Sequence, residues 1–222
     1  MDKGRQVALD SNERVRLIIG EPGVGKTYFG CQLAEREIRT KRIVKESYQK
    51  VLFLTFSRNA VARIRQIVQI DSAIVFKQRE AAYGLNDGQE DRIRVETFAG
   101  FFWWLTESYG RYVAGGSSLR SWLLGSRRVG GEYVPEGHIG YTFDEIYSTA
   151  VNILQIKAVQ KLVADLYPLI IIDEHQDIDH QLHEIIILLS RSSYMVLLRG
   201  NGQCIYGSMK RFDHEEIFER TS

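Results

Sequence analysis

Gly20-Glu-Pro-Gly23-Val24-Gly25-Lys26-Thr27 fits the pattern G-x-x-x-x-G-K-[ST]. Glycines at 20, 23 and 25 let the backbone fold back so that its N–H groups converge on a β-phosphate, and a helix starting at the end of the loop adds positive potential. Lys26 is then placed to reach the β- and γ-phosphates, and Thr27 to ligate Mg²⁺. The expected nucleotide contacts are Gly20, Gly23, Val24, Gly25, Lys26, Thr27 and Tyr28. A second chemical signal lies far downstream, where Leu169-Ile-Ile-Ile-Asp173-Glu174 is an apolar run ending in two carboxylates. Asp173 would hold the metal, directly or through water, and Glu174 would orient and deprotonate an attacking water. Each signal is weaker alone, since acidic residues also follow strands as helix caps. Together they point to ATP and Mg²⁺ held between a Walker A loop and a Walker B strand.

The surrounding pattern supplies the elements such a site needs. Val15 to Ile19 reads as a strand entering the loop, and apolar residues at 29, 33, 34 and 38 predict a helix leaving it, to about Arg39. Val51 to Phe56 is a second strand, followed by a helix with its apolar face at 60, 61, 64, 67 and 68. Residues 71 to 92 read as a loop or short helix, Ile93 to Glu96 as a third strand, and Ala99 to Tyr109 as a helix. Eight glycines between 110 and 140, with Arg120, Arg127 and Arg128 among them, predict an irregular insertion. Helices over 142–155 and 157–166, the strand Leu169 to Ile172, a helix over 181–190 and a strand Met195 to Leu198 complete the chain. Strands alternating with helices predict an α/β fold with a mainly parallel sheet flanked by helices.

Composition narrows the alternatives. With 222 residues and 44% hydrophobic content, one globular domain is expected. A formal charge of +1 gives no global field toward nucleic acid or anionic lipid, so such binding requires a local patch. Arg36 to Arg65 supplies one, with nine Lys/Arg against Glu37 and Glu46. Cys31 and Cys204 form no paired framework and read as core residues of a reducing compartment. No stretch suits a membrane span or a signal sequence, so a cytoplasmic location is expected. His175, His180 and His183 lack metal-ligand spacing and read as surface or capping histidines. The aromatic run Phe101 to Trp104 reads as a helix face packed on the sheet.

Lys26 and Asp173 are 147 residues apart, longer than in a compact kinase-like or AAA+ core, so a large insertion between them is expected. Asp173-Glu-His-Gln176-Asp177 resembles the DExQD form of motif II in UvrD/Rep-type superfamily 1 helicases. Val51-Leu-Phe-Leu-Thr55-Phe56-Ser57-Arg58-Asn59-Ala60 is similar to their motif Ia, and Glu96-Thr97-Phe98-Ala99-Gly100-Phe101 to motif Ib. Gln203-Cys-Ile205-Tyr206-Gly207 is similar to the QSIYG part of motif III, and Gln6 to the adenine-reading glutamine of the Q motif. The motifs stand in family order over positions 6 to 207. The resemblance implies the first RecA-like motor domain, a P-loop NTPase, over 1–222, with a shortened 1B-like insertion over 105–156. It also implies that Gln176 and Gln203 sense the γ-phosphate beside Lys26 and Glu174. Thr55, Phe56, Arg58, Asn59, Thr97 and Phe98 would then face single-stranded nucleic acid, DNA before RNA.

Several positions depart from the family pattern. Gly200 stands at the first acidic position of motif III, Ser208 where a stacking aromatic is usual, Ala99 at the motif Ib histidine, and Arg58-Asn59 at the motif Ia Asn-Lys. Motifs IV to VI, with the arginines that neutralise charge on the γ-phosphate, belong to a second RecA-like domain and are absent from these residues. The expectation is an ATP hydrolase, weak or inactive by itself, that moves along a strand only with that second domain. The alternatives are an ATP-binding regulatory or switch protein that has lost strand contacts, and a small-molecule phosphotransferase, which the DEHQD segment disfavours.

Overall fold

The computed structural model describes residues 10–21, 23–68, 92–110, 122–123, 139–140 and 143–200. Five strands form one sheet: β1 (Val15–Gly20), β2 (Val51–Thr55), β3 (Ile93–Thr97), β6 (Leu169–Ile172) and β7 (Tyr194–Gly200). Their spatial order is β1-β7-β6-β2-β3, and every neighbouring pair is parallel. The short strands β4 (Trp122–Leu123) and β5 (Ile139–Gly140) pair separately, also in parallel. The helices are α1 (Lys26–Thr40), α2 (58–68), α3 (Phe98–Tyr109), α4 (Phe143–Leu154), α5 (Lys157–Leu166) and α6 (His180–Ser190), with a 3₁₀ turn at His175–Asp177. This is the expected α/β class, a parallel sheet flanked by helices, consistent with a RecA-like P-loop fold.

The continuous apolar runs follow from burial on both faces of the sheet. Val51, Phe53, Leu169, Ile171, Val196 and Leu198 pack with Phe29, Leu33 and Ala34 of α1 and Val61 and Ile64 of α2. The alternate residues, Leu52, Leu54, Ile170, Ile172, Met195 and Leu197, pack under α3, α4, α5 and α6. The period-two alternation of a strand thus assigns α1 and α2 to one face and the other four helices to the opposite one. Residues 143–154, within the interval expected to be inserted, contribute Ile146, Ala150, Ile153 and Leu154 to that second apolar cluster. Most of 110–140, the residues 69–91 and Cys204 lie outside the described residues.

Gly30 sets how closely α1 approaches the sheet. A Cβ there would lie 2.9 Å from Leu198 Cδ1 and 3.1 Å from Phe53 Cζ, so hydrogen is the side chain that fits. Among the described residues three helix starts carry side-chain caps: Ser57 Oγ accepts from Ala60 N–H at 3.1 Å at the head of α2, Thr97 Oγ1 accepts from Gly100 N–H at the head of α3, and Asp179 Oδ1 accepts from Leu182 N–H at 2.8 Å at the head of α6. At the far end of α1, buried Glu37 is held by Arg42, which also donates to Ser11 O and to Asn12 Oδ1, while Arg36 pairs with Asp10. Segment 10–12 is thereby fastened to the helix.

Two expectations change. The basic run from Arg36 to Arg65 is not one surface: α1 joins the C-terminal end of β1 to the N-terminal end of a parallel β2, so Arg36, Arg39 and Arg42 are carried to the sheet edge opposite the loop. Arg58 instead starts α2 at the loop's own edge. His175 and His183 are buried rather than at the surface, because the 3₁₀ turn and the inner face of α6 press against the sheet; His180 is exposed. The aromatic run is core as expected, with Phe101 and Phe102 fully buried and Phe101 stacked on Trp104.

Candidate nucleotide-binding site

Because all five strands are parallel, Gly20, Thr55, Thr97, Asp173 and Gly200 finish at one edge of the sheet. The loop after β1 turns through Gly23 (φ 80°) and Gly25 (φ 83°), a left-handed conformation that costs an L side chain. A Cβ on Gly20 would lie 2.9 Å from Val24 Cγ2, which records how tightly the loop folds back. Gly25 caps α1 without a side chain, and the first turn carries no acidic residue. The first N–H groups of α1 and the positive end of its dipole are therefore left for an anion. Lys26 Nζ donates to the loop's own carbonyls, Gly20 O at 3.0 Å and Glu21 O at 3.1 Å. Its cation thus lies over the concavity of the loop, the position a phosphate would take. Val24 and Tyr28 are 46% and 42% exposed, so their side chains remain accessible beside the loop.

The acidic strand end meets this loop directly. Thr27 Oγ1 donates to Asp173 Oδ2 at 2.9 Å across 146 residues of sequence. Asp173 N donates to Leu54 O, which extends the β6 ladder by one residue and fixes where the carboxylate projects. Burial pushes the Asp173 carboxyl above its ordinary range, opposed by the Thr27 hydrogen bond. Its other oxygen, Oδ1, is buried and without a hydrogen-bond partner. A desolvated carboxylate with one unsatisfied oxygen, next to a hydroxyl, fits a hard divalent cation such as Mg²⁺. Among the described residues no cluster of three His, Cys, Asp or Glu could hold a metal by protein ligands alone. One carboxylate and one hydroxyl with the remainder from water and phosphate is the ordinary arrangement for Mg²⁺.

Glu174 follows with φ 54° and ψ 44°, a left-handed conformation unusual for glutamate. Its carboxylate is hydrogen-bonded by Gln176 Nε2, and Gln176 Oε1 accepts from Gly200 N–H at 2.7 Å. The structure therefore brings Lys26, Thr27, Asp173, Glu174 and Gln176 to one edge of the sheet. Gln6 and Gln203 lie outside the described residues. Gly200 was legible only as a departure from the family pattern. Its role as a backbone donor to Gln176 has no signal in residue type.

The residues expected to face a nucleic-acid strand divide. Phe56 is 39% exposed, with its ring 5.0 Å from that of Phe98, and Arg58 and Asn59 are exposed at the start of α2. Thr55 and Phe98 are buried, and the Thr97 hydroxyl is engaged in capping α3. Phe56, Arg58 and Asn59 remain accessible at this edge.

A family model described as an AAA domain matches residues 4–208. No curated protein matches the chain. The long interval between Lys26 and Asp173, which the spacing argument set against a compact AAA+ core, thus does not place the chain outside the AAA domain family. Such a domain implies binding of ATP, usually with Mg²⁺. No helix among the described residues is long and apolar enough to cross a membrane.

Proposed function

The chain belongs to the AAA domain family, and from that premise we propose that it is the ATP-hydrolysing motor domain of a helicase or translocase of UvrD/Rep type. The observation that carries this is the Thr27–Asp173 hydrogen bond, which closes the phosphate loop onto the acidic strand end from opposite ends of the sequence. ATP would enter with its β- and γ-phosphates on the loop N–H groups and Lys26, whose ammonium exchanges the carbonyls of Gly20 and Glu21 for phosphate oxygens. Thr27 and Asp173 would hold Mg²⁺, which supplies charge neutralisation at the β- and γ-oxygens. Glu174 accepts the proton of the attacking water, and Gln176 lies within reach of its carboxylate. The resemblance to UvrD/Rep motors puts the charge-neutralising arginines on a second RecA-like domain, in the same chain or another. On this reading hydrolysis by residues 1–222 alone is slow.

Single-stranded nucleic acid, DNA in the first instance, would lie on Phe56 with Arg58 and Asn59 on its phosphates. A second reading, an ATP-dependent switch without strand contacts, is favoured by the burial of Thr55 and Phe98 and the engagement of Thr97. Two measurements separate these possibilities. Titration with a fluorescent ATP analogue and Mg²⁺ should show saturable binding that Lys26→Ala weakens by about 10- to 100-fold, the scale of one charge-assisted bond. Binding untouched by that substitution would remove the nucleotide reading. Oligo(dT) should bind, and Phe56→Ala with Arg58→Ala should weaken it; if no polynucleotide binds or alters turnover, the switch reading replaces the motor.

A further inference from the structure

Segment 10–16, which enters β1, and segment 36–42, which leaves α1, meet at the sheet edge opposite the phosphate loop. They are joined by the Arg36–Asp10 pair and by Arg42 donating to Ser11 O and Asn12 Oδ1. The two segments carry six cations and three carboxylates, in a chain whose formal charge is only +1. Arg42 is engaged by buried Glu37 and Arg36 by Asp10, while Arg14, Arg39 and Lys41 are exposed, with Glu13 the remaining carboxylate of the two segments. Arg16, on the strand itself, is buried; burial lowers its hold on its proton, Glu37 opposes this, and Arg42 and Arg36 reinforce it. The cluster therefore holds more positive charge than its own carboxylates offset. The dipole of α1 favours a cation in its last turn, which accounts for Arg39. It does not account for Arg14 and Arg16 on the strand side, nor for a lysine at 41, where a left-handed backbone (φ 53°) suits glycine better.

We propose that this edge, presenting Arg14, Arg39 and Lys41, is a docking surface for an acidic segment of a partner protein. Three observations favour carboxylates over a nucleic-acid strand. Five of the six cations are arginines, whose planar forks receive a carboxylate through two bonds, as Arg42 receives Glu37 through Nε and Nη2. The half-exposed Tyr194 ring has the Arg14 guanidinium 5.9 Å from its centroid, so a cation already covers the face on which a base would stack. Asp10 and Glu13 would repel a continuous run of phosphates, whereas a peptide of mixed sequence can set a neutral or basic residue against them. The surface also lies at the other end of the sheet from Gly20 and Asp173, so an occupant there leaves the phosphate loop open.

Titrating the ¹⁵N-labelled chain with an oligo-glutamate peptide should move the backbone signals of 13–16 and 38–42 and leave those of 20–28 in place. With the peptide made fluorescent, Arg39→Glu combined with Lys41→Glu should weaken its binding about tenfold or more, because two attractions become repulsions. Binding of an ATP analogue should be unchanged in that variant. Arg14→Lys combined with Arg39→Lys keeps the charge but removes the forked donors, and should weaken the peptide several-fold while leaving oligo(dT) binding as in wild type. Saturable binding that ignores the glutamate substitutions, or signals that move elsewhere, would overturn the proposal, as would no binding at all. Lysine variants equal to wild type would reduce the surface to unspecific attraction. Displacement of the peptide by oligo(dT), with oligo(dT) affinity lost in the glutamate variant, would assign the edge to nucleic acid. A dimer in sedimentation that the same variant abolishes would assign it to a second copy of the chain. Arg39→Ala with Lys41→Ala takes the place of the glutamate variant if that one does not fold.

Discussion

Asp173 is held at 3% exposure with one carboxylate oxygen on the Thr27 hydroxyl and the other without a hydrogen-bond partner, so its charge is costly to keep. Its proton is released at higher pH in the folded chain than in the unfolded one. Between those two values the folded state binds more protons, so stability is full below the ordinary carboxylate range and falls as pH rises through the raised value. Asp173→Asn should therefore stabilise the nucleotide-free chain at neutral pH by about 1–2 kcal/mol, the order of one unsatisfied buried polar atom. Thermal unfolding would show this as a rise of roughly 2–6 °C in Tm, shrinking as the pH is lowered, while Mg²⁺-dependent ATP hydrolysis is lost. A lower Tm for the variant at neutral pH contradicts this account. The phosphate and metal residues of this site were legible in combination: glycines before a Lys-Thr pair and carboxylates ending an apolar run explain one another when read together. What spacing does not reveal is a contact made by backbone, and so the Gly200 N–H that anchors Gln176 had no residue-level signal.

Strands β2 and β6 and helix α5 were readable because packing on both faces of a sheet demands uninterrupted apolar runs, and a helix on one face demands a period near 3.6. Their ends were less readable. β7 extends to Gly200, past its apolar residues, because pairing with β1 continues to Gly20 whatever the side chains are. The buried histidines were misread for a related reason: α6 packs most of its circumference, so His183 falls on a covered face although its type favours the surface. Asp179 caps the start of α6, where it accepts from Leu182 N–H. Asp179→Ala should cost about 1 kcal/mol and Asp179→Ser should restore most of it, read as the midpoint of denaturant unfolding. Equal midpoints for the alanine variant and wild type would show that the cap contributes nothing.

At the scale of the molecule, the charged cluster behind α1 fastens the segment preceding β1 to the helix that follows it. Glu37 is fully buried, and Arg42 is its bidentate partner while also holding Ser11 and Asn12. Arg42→Ala should destabilise the chain by about 3 kcal/mol, because it leaves a buried carboxylate short of its partner. Arg42→Ala combined with Glu37→Gln should recover part of that loss in the same unfolding measurement. Additive losses would place the effect elsewhere. Nothing in composition announced this cluster, since Glu37 and Arg42 read as two ordinary charges of a basic surface. Gly30 has a consequence of a different kind. With no side chain between α1 and the residues Leu198 and Phe53, helix and sheet meet like meshed teeth with no clearance, and close-packed interiors pass displacement on rather than absorb it. A displacement of α1 would therefore be handed directly to Leu198 and Phe53 rather than taken up at position 30.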